Sequence, residues 1–168
     1  MCGGLDNAKG KDADCSIVFK YGMKRDFNAW LATLGPKAPV KTLTELRQWN
    51  VAHQKAGAIK YGQALLDISD EMEVQADRTR YQADREKDLR LSAAEGIDAV
   101  MRQHQLDAIL FPAGSGAGIA AKPGYPTVMV PFGCVPNVFF AGGSTPPPVF
   151  PAGFDPKPAP YGVSFTGM

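Results

Sequence analysis

Two short apolar segments on either side of a loop of very small residues restrict the possible folds more than any other feature of this chain. The first segment, Leu106–Phe111, ends at Pro112, and the second, Val128–Val130, is bounded by prolines. Bulky apolar runs of this length predict strands that are buried on both faces. The loop between them, Ala113–Ile119, has almost no side-chain bulk, so its backbone can approach a ligand closely. A buried strand that ends in such a loop predicts one wall of a pocket.

The chain before these strands carries the patterns of helices. Thr42 and Glu45 have the spacing of a capping box, in which each side chain accepts a hydrogen bond from a backbone N–H at the start of a helix. Residues 79–103 are rich in charged residues, glutamine and alanine, with apolar residues along one face, as in a long surface helix. The patterns predict a strand at Ser16–Phe19 and helices at Lys24–Leu34, from Thr42 to about Ala52, at Tyr61–Asp77 and at Thr79–Gln103.

Together these elements predict an α/β fold with a mixed sheet, covering helices and a long C-terminal Pro-rich loop. The helix that precedes the Leu106 strand makes an αβ unit with it, and strands at Val128–Val130 and Val163–Phe165 extend the sheet. The density of prolines between Cys134 and Pro160 forbids a helix or a central strand there. Residues 1–14 are polar and predict a disordered start, and residues 15–168 predict a single domain.

Net charge and cysteine usage exclude several classes of function. A net charge of +1 implies no broad attraction to nucleic acid or to an acidic membrane. No apolar run is long enough to span a bilayer, and the first residues lack the apolar core of a signal peptide. The three cysteines, Cys2, Cys15 and Cys134, are widely spaced, with no nearby histidine at metal-ligand spacing. We therefore expect a cytoplasmic protein without a metal site.

Several motifs in a fixed order resemble a known enzyme family. The order is LDAILFP at Leu106–Pro112, a small-residue loop, GYPTVMVPFG at Gly124–Gly133, and PYGVSFTG at Pro160–Gly167. This order is similar to the C-terminal part of the amidase signature family, and Tyr21–Leu31 is similar to another segment of these enzymes. The resemblance covers nearly the whole chain from about Ser16. It implies a partial amidase-signature fold and no cofactor.

The resemblance implies hydrolysis of a carbon–nitrogen amide bond through an acyl-serine intermediate. Family members use a serine nucleophile, a bridging serine in a cis peptide and a lysine base, which is a recognised variant of the Ser-His-Asp arrangement. These residues lie in a Gly/Ser-rich segment upstream of the motifs above, and this sequence contains no such segment. We therefore expect a C-terminal portion that contributes fold and pocket wall but no catalytic residue. The alternative is a non-catalytic binding or interaction remnant of an amidase.

Five polar residues are candidates for chemistry, and each has a simpler interpretation. Ser144 follows two glycines but lies in the Pro-rich loop, out of family order, and Ser115 lacks the outer glycines of a nucleophile elbow. Lys122 lies near the apolar centre, where a solvated loop position is the simpler interpretation. His53 and His104 lie on predicted helices with no acidic or serine partner in register. A Ser-His-Asp triad therefore has no support.

The one family role that can be assigned to individual residues of this sequence is that of lining the substrate pocket. Pro112 to Ile119 matches the strand end and loop that border the acyl-binding cavity in relatives. The resemblance thus implies that Pro112, Ser115, Gly116 and Ile119 bind a small-molecule amide substrate. Gly22, where relatives often have an acidic residue, and the unusual Pro-rich loop depart from the family. The expected partner is the missing N-terminal half or a longer relative.

Overall fold

The chain divides into two units, one that ends at Asp88 and one that runs from Leu89 to Met168. The structure is a computed structural model that describes Ala8 and residues 14–136, 152–155 and 157–168. The predicted disordered start therefore lies almost entirely outside the described residues. The single domain expected over residues 15–168 stays a prediction.

The first unit is helical. Its elements are α1 (Val18–Thr33), α2 (Leu43–Ala52), a short 3-10 turn (Gln54–Ala56), α3 (Ala64–Asp70) and α4 (Arg78–Leu89), whose last residue falls at the start of the second unit. The predicted helices at Lys24–Leu34 and from Thr42 to Ala52 are confirmed. The helix predicted at Tyr61–Asp77 is confirmed only over Ala64–Asp70.

The strand predicted at Ser16–Phe19 is wrong, because α1 begins at Val18. Ile17 and Tyr21 are buried together with Met72, and one helical turn separates the first two residues, so both side chains point at the same core. The Tyr21 ring also stacks on Tyr81 at 4.4 Å between centroids. Burial on one helical face decides the conformation here, against the β preference of Ile17 and Val18.

The start of α2 has the predicted cap. The Thr42 Oγ1 accepts a hydrogen bond from the Glu45 backbone N–H at 3.1 Å, which satisfies one of the free donors of the first turn. The reciprocal bond is shifted by one residue, since Glu45 Oε2 accepts from the backbone N–H of Lys41 at 2.6 Å. Thr42 and Glu45 therefore fix the first turn of α2 as the sequence predicts.

Asp70 joins the first three helices at the end of α3. Its carboxylate accepts hydrogen bonds from Thr44 Oγ1 at 2.7 Å and Arg47 Nη1 at 2.5 Å, and Lys24 Nζ lies 3.3 Å away. Burial alone would raise the pKa of Asp70, but hydrogen bonds from Thr44, Arg47 and Lys24 outweigh it and hold the pKa below its usual value. The network ties α1 and α2 to α3.

The second unit begins with helix and ends with a sheet. Its elements are a π-helical segment (Arg90–Ile97), α5 (Asp98–His104), β1 (Ile109–Pro112), α6 (Ala117–Ala121), β2 (Thr127–Val135) and β3 (Ala159–Thr166). The long helix predicted over Thr79–Gln103 is thus confirmed as helical, but with an irregular middle. Gly96 has non-helical backbone angles, and a Cβ there would lie 2.6 Å from the carbonyl oxygen of Leu91.

The three strands form one sheet in the order β1-β3-β2, and β3 pairs antiparallel with both neighbours. Leu110, Phe165 and Val128 lie directly opposite one another across the three strands. The predicted contact of the three apolar runs in one sheet is confirmed. The mixed α/β class is confirmed as well, although the described strands pair only antiparallel.

The Pro-rich loop is shorter than the predicted Cys134–Pro160, because β2 continues to Val135 and β3 begins at Ala159. Pro131 lies in β2 beside a register shift between Pro131 and Gly133. Since β2 is an outer strand of the described sheet, a residue without a backbone N–H is tolerated there. The middle of the predicted loop, residues 137–151, lies outside the described residues.

The core of the second unit lies on one side of the sheet. Ile97, Met101 and Ala120 are buried together, and Ile109 of β1 packs against them with Tyr125. The prediction that β1 is buried on both faces is wrong, because the Leu110 side chain, which points the other way, is 59% exposed. In the described part of the second unit, the helices pack on the Ile109 side of the sheet.

Two further features bear on location. Cys15 is disulfide-bonded, which the odd and widely spaced cysteines did not predict, whereas Cys134 is free and exposed. Within the described residues, no helix has the length and apolar character needed to cross a membrane. The cytoplasmic location stays a prediction.

Candidate functional site

The predicted pocket wall, Pro112 to Ile119, lies where β1 ends and α6 begins. Strand β1 ends at Pro112, the four residues Ala113–Gly116 make a turn, and α6 starts at Ala117. The sequence predicted a loop without secondary structure, and α6 is a correction to that prediction. The turn is closed by a hydrogen bond from the Ala117 N–H to the Gly114 carbonyl at 3.1 Å.

Ala113 has a left-handed backbone with φ +47°, which is unusual for a residue other than glycine. Its N–H donates to the carbonyl oxygen of Gly162 in β3 at 2.9 Å, one step beyond the last paired residue of β1. This bond holds the turn against the sheet. Residues in sparsely populated backbone conformations occur often at binding sites, so the strain at Ala113 is compatible with a functional turn.

Ser115 is exposed, and its hydroxyl is engaged within the turn. The Oγ donates to the carbonyl oxygen of Pro112 at 2.8 Å, and the Ser115 backbone N–H points to the same oxygen at 3.2 Å. A serine nucleophile needs a base that accepts its proton, whereas a backbone carbonyl cannot remove it. The Ser115 hydroxyl therefore stabilises the turn and remains accessible to a ligand.

Gly116 is buried, and the ring of Phe111 lies against it. A Cβ built on Gly116 would lie 2.3 Å from Phe111 Cδ2, closer than any side chain tolerates. Gly116 is thus required for packing, and its side of the turn faces the protein. Pro112, Ser115 and Ile119 are exposed, with Ile119 at 42%. These three residues can contact a ligand, while Gly116 sets the shape of the turn beneath them.

The other sequence candidates do not assemble into a catalytic group. His53 stacks on Trp49 at 4.0 Å between ring centroids, and its Nδ1 lies 2.8 Å from the Trp49 carbonyl oxygen, so it closes the end of α2. Lys122 is half-buried and follows α6 directly. Ser144 lies outside the described residues.

A cleft in the first unit was not predicted from the sequence. It has a volume of about 260 Å³ and is lined by Tyr21, Arg25, Val74, Gln75, Arg78, Tyr81 and Gln82. The Arg25 guanidinium lies over the Tyr81 ring at 4.9 Å and donates to Asp26 at 2.6 and 3.0 Å. This pairing holds the pKa of Asp26 below its usual value. Tyr21 and Arg25, one helical turn apart, were the only signal of the cleft in the sequence.

Metal chemistry has no group of ligands in the part of the chain that the structure describes. No cluster of three or more histidine, cysteine, aspartate or glutamate side chains within it could hold a metal ion. The turn therefore offers a ligand one exposed hydroxyl, backbone N–H and C=O groups and apolar side chains. Such a set can orient and enclose a ligand, but it does not break a bond by itself.

Comparison with known proteins gives the turn a context. The structure is similar to the native peptide amidase of Stenotrophomonas maltophilia, with a TM-score of 0.69 and 28% sequence identity over 90% of this chain. The chain resembles part of an amidase. The predicted resemblance to the amidase signature family is therefore confirmed, and the match covers 28% of the peptide amidase chain.

A further peptide amidase structure and a plant relative agree with this result. A structure of a peptide amidase in complex with the competitive inhibitor chymostatin gives a TM-score of 0.70 at 28% identity, over 90% of this chain and 29% of that one. A probable amidase of Arabidopsis thaliana is 24% identical over 160 residues. The present chain spans 27% of the length of this plant amidase. No protein-family model matches the chain.

Proposed function

We propose that this chain is a portion of an amidase-type hydrolase of carbon–nitrogen amide bonds, and that its turn at Pro112–Ile119 forms one wall of the substrate pocket. The observation that carries this proposal is the likeness to peptide amidase over 90% of the chain at a TM-score of 0.69. The exposed side chains of the turn and its strained backbone at Ala113 fit a binding role.

The division of work follows from what the described residues contain. Amide hydrolysis through an acyl-serine needs a hydroxyl, a base that accepts its proton, and donors that stabilise the oxyanion. The Ser115 hydroxyl has a backbone carbonyl as its partner, so it lacks the base that a nucleophile needs. The catalytic residues then come from polypeptide outside this sequence. Ile119 and Pro112 supply apolar surface for the substrate, and Ser115 supplies a polar contact.

One experiment tests this division with the chain as it is. The purified chain is incubated with a peptide amide, and the release of ammonia or amine is measured. We expect no hydrolysis above the buffer rate. Hydrolysis that survives both Ser115→Ala and Ser144→Ala would mean that another residue of this chain is the nucleophile, and the proposal would then be wrong.

A second experiment tests the wall. The chain is fused in place of the matching segment of the Stenotrophomonas peptide amidase, and kcat and KM of this chimera are measured. Ile119→Trp adds bulk to the turn, so we expect the KM for a peptide amide to rise several-fold. Leu34→Trp is the control, since Leu34 follows α1 and is exposed to a similar degree, at 44% against 42%.

The same chimera distinguishes the alternative, a non-catalytic remnant. A remnant that no longer shapes a substrate pocket would give a folded chimera whose KM does not respond to Ile119→Trp. A response at Ile119 with none at Leu34 supports the pocket wall.

A further inference from the structure

We propose that the sheet face left exposed by the described residues is the surface on which the remainder of an amidase-type polypeptide docks. This inference rests on the proposed function and names the partner of the same unit. The face is defined by two rows of side chains, Leu110-Phe165-Val128 and Pro112-Val163-Val130, and is called the open face below.

The register places these side chains together. Residues directly opposite one another in neighbouring strands share a face, and so do residues two apart along a strand. Leu110 and Val128 are 59% and 61% exposed, and Phe165 and Val130 are 41% and 43% exposed. The rows contain no charged or hydroxyl side chain. The open face is therefore a continuous apolar surface from β1 across β3 to β2.

The opposite face of the same sheet is partly covered. Ile109 packs on the helical core, and Ser164 and Thr166 are fully buried, whereas Met129 on the same face is 55% exposed. An antiparallel sheet can bury one face and expose the other to water, but the exposed face then normally carries polar side chains. Apolar side chains on that second face indicate that it is also buried in the complete fold. Removing the exposed apolar area of these side chains from water is favourable, so a partner that covers the open face is stabilised by this burial.

The sheet also has free edges. The order β1-β3-β2 leaves the outer edges of β1 and β2 without a strand partner among the described residues. Unpaired backbone N–H and C=O groups along an edge accept a further strand readily. A partner that supplies both apolar side chains and extended backbone would satisfy the face and the edges together.

The remainder of an amidase chain is the occupant that fits these demands. The chain matches peptide amidase over 90% of its own length but only 28% of that chain, so nearly three quarters of the amidase lies outside the match. The polypeptide that completes such a fold is the natural cover for an apolar sheet face. A charged ligand or an acidic surface finds no complement on the open face.

The test uses a polypeptide of known sequence as the probe. The Stenotrophomonas peptide amidase is produced without the segment that this chain matches, together with the full 168-residue chain, and the complex is measured by size exclusion with light scattering. The segment removed from the enzyme, supplied as a separate chain, is the positive control. Val128→Asp places a charge on the open face, and Val51→Asp on α2 is the matched control, at 57% exposure.

We expect a one-to-one complex that Val128→Asp weakens at least tenfold and Val51→Asp leaves unchanged. If the control segment re-forms a complex with the shortened amidase and the 168-residue chain does not, the inference is overturned. A dimer of the chain alone that Val128→Asp dissociates would make a second copy the occupant, and binding that appears only after deletion of residues 138–150 would make that segment the occupant. Either result overturns the inference.

A labelling measurement keeps the test decisive if the separate pieces do not associate. In a Cys134→Ser background, Val128→Cys is introduced into the chain alone and into the single-chain chimera, and its reaction rate with a maleimide is measured. We expect fast labelling in the chain alone and at least tenfold slower labelling in the chimera, with Val51→Cys equally fast in both. Equal rates for Val128→Cys overturn the inference. Protection without any effect of Ile119→Trp on KM would instead disprove the pocket wall alone.

Discussion

The ring of Phe111 lies so close to Gly116 that a Cβ on the glycine would be 2.3 Å from Phe111 Cδ2. Phe111 is on β1, paired with Ser164 of the central strand, and Gly116 immediately precedes α6. The contact therefore fixes the turn of the candidate site against the sheet. Any side chain at position 116 must displace either the ring or the turn.

Gly116→Ala should destabilise the protein by about 1–3 kcal/mol, since overpacking forces a side chain or the backbone to move. Gly118→Ala is the matched control, because nothing lies within 4 Å of a Cβ at that position in α6. It should stabilise the protein by about 0.5–1 kcal/mol, the usual gain of alanine over glycine within a helix. Urea unfolding measures both, and equal effects of the two substitutions would contradict the packing described.

The left-handed turn residue Ala113 leads to a prediction of opposite sign. A left-handed conformation costs an alanine about 1–2 kcal/mol, whereas the extra freedom of glycine in the unfolded chain costs about 0.5–1 kcal/mol. Ala113→Gly should therefore raise the free energy of unfolding by a few tenths of a kcal/mol to about 1 kcal/mol. Ala117→Gly in α6 should lower it by about 1 kcal/mol. A loss of stability with Ala113→Gly would show that Ala113 is not strained.

The sequence predicted elements well where local signals decide the conformation. The hydroxyl of Thr42 and the carboxylate of Glu45 act within one turn, so the start of α2 follows from their spacing. At Ser16–Phe19 the local signal fails, because Ile17 is buried by contacts with Met72 more than fifty residues away. The β preference of Ile17 and Val18 is weaker than that burial.

The candidate site was predictable in position but not in detail. Small residues after an apolar run indicated a turn at Pro112–Ile119, and that turn exists. The close approach of Phe111 to Gly116 depends on the register between β1 and β3, and these strands are joined by about fifty residues of sequence. Chain order alone does not reveal that β3 lies between β1 and β2, since pairing over such a distance leaves no local pattern.

Acid sensitivity should follow from Asp70. Its pKa is held below the usual 3.8, so the folded state is stabilised by the ionised form, and that contribution is complete above about pH 5 and is lost as the pH falls through 3.8 and below. Asp70→Ala removes the bonds to Thr44 and Arg47 and should cost about 2–3 kcal/mol at pH 7. The cost should shrink as the pH falls below 3.8, because protonation of the wild-type carboxylate removes the same interactions.

The control for Asp70 is Asp67, the second carboxylate bonded to Arg47. Its side chain is 42% exposed, against 6% for Asp70. A surface pair of this kind contributes roughly 0.2–1 kcal/mol, so Asp67→Ala should have a small effect on stability. Urea unfolding between pH 2 and 7 compares the two variants. A pH-independent cost for Asp70→Ala would contradict the network.

The buried hydroxyl of Ser164 leads to the last prediction. Ser164 lies in the middle of β3 between Phe111 and Met129, is fully buried, and its Oγ has no hydrogen-bond partner among the described residues. An unsatisfied buried hydroxyl costs about 1–3 kcal/mol, so Ser164→Ala should leave stability unchanged or raise it by up to about 1 kcal/mol.

Thr127→Val is the contrast, since the Thr127 hydroxyl lies 2.8 Å from the Thr166 hydroxyl in the same sheet. Its loss leaves the buried Thr166 oxygen without a partner and should cost about 1–2 kcal/mol. Thermal unfolding of both variants would contradict this account if Ser164→Ala were the more damaging of the two, because the Ser164 hydroxyl would then have a partner that stabilises the folded state.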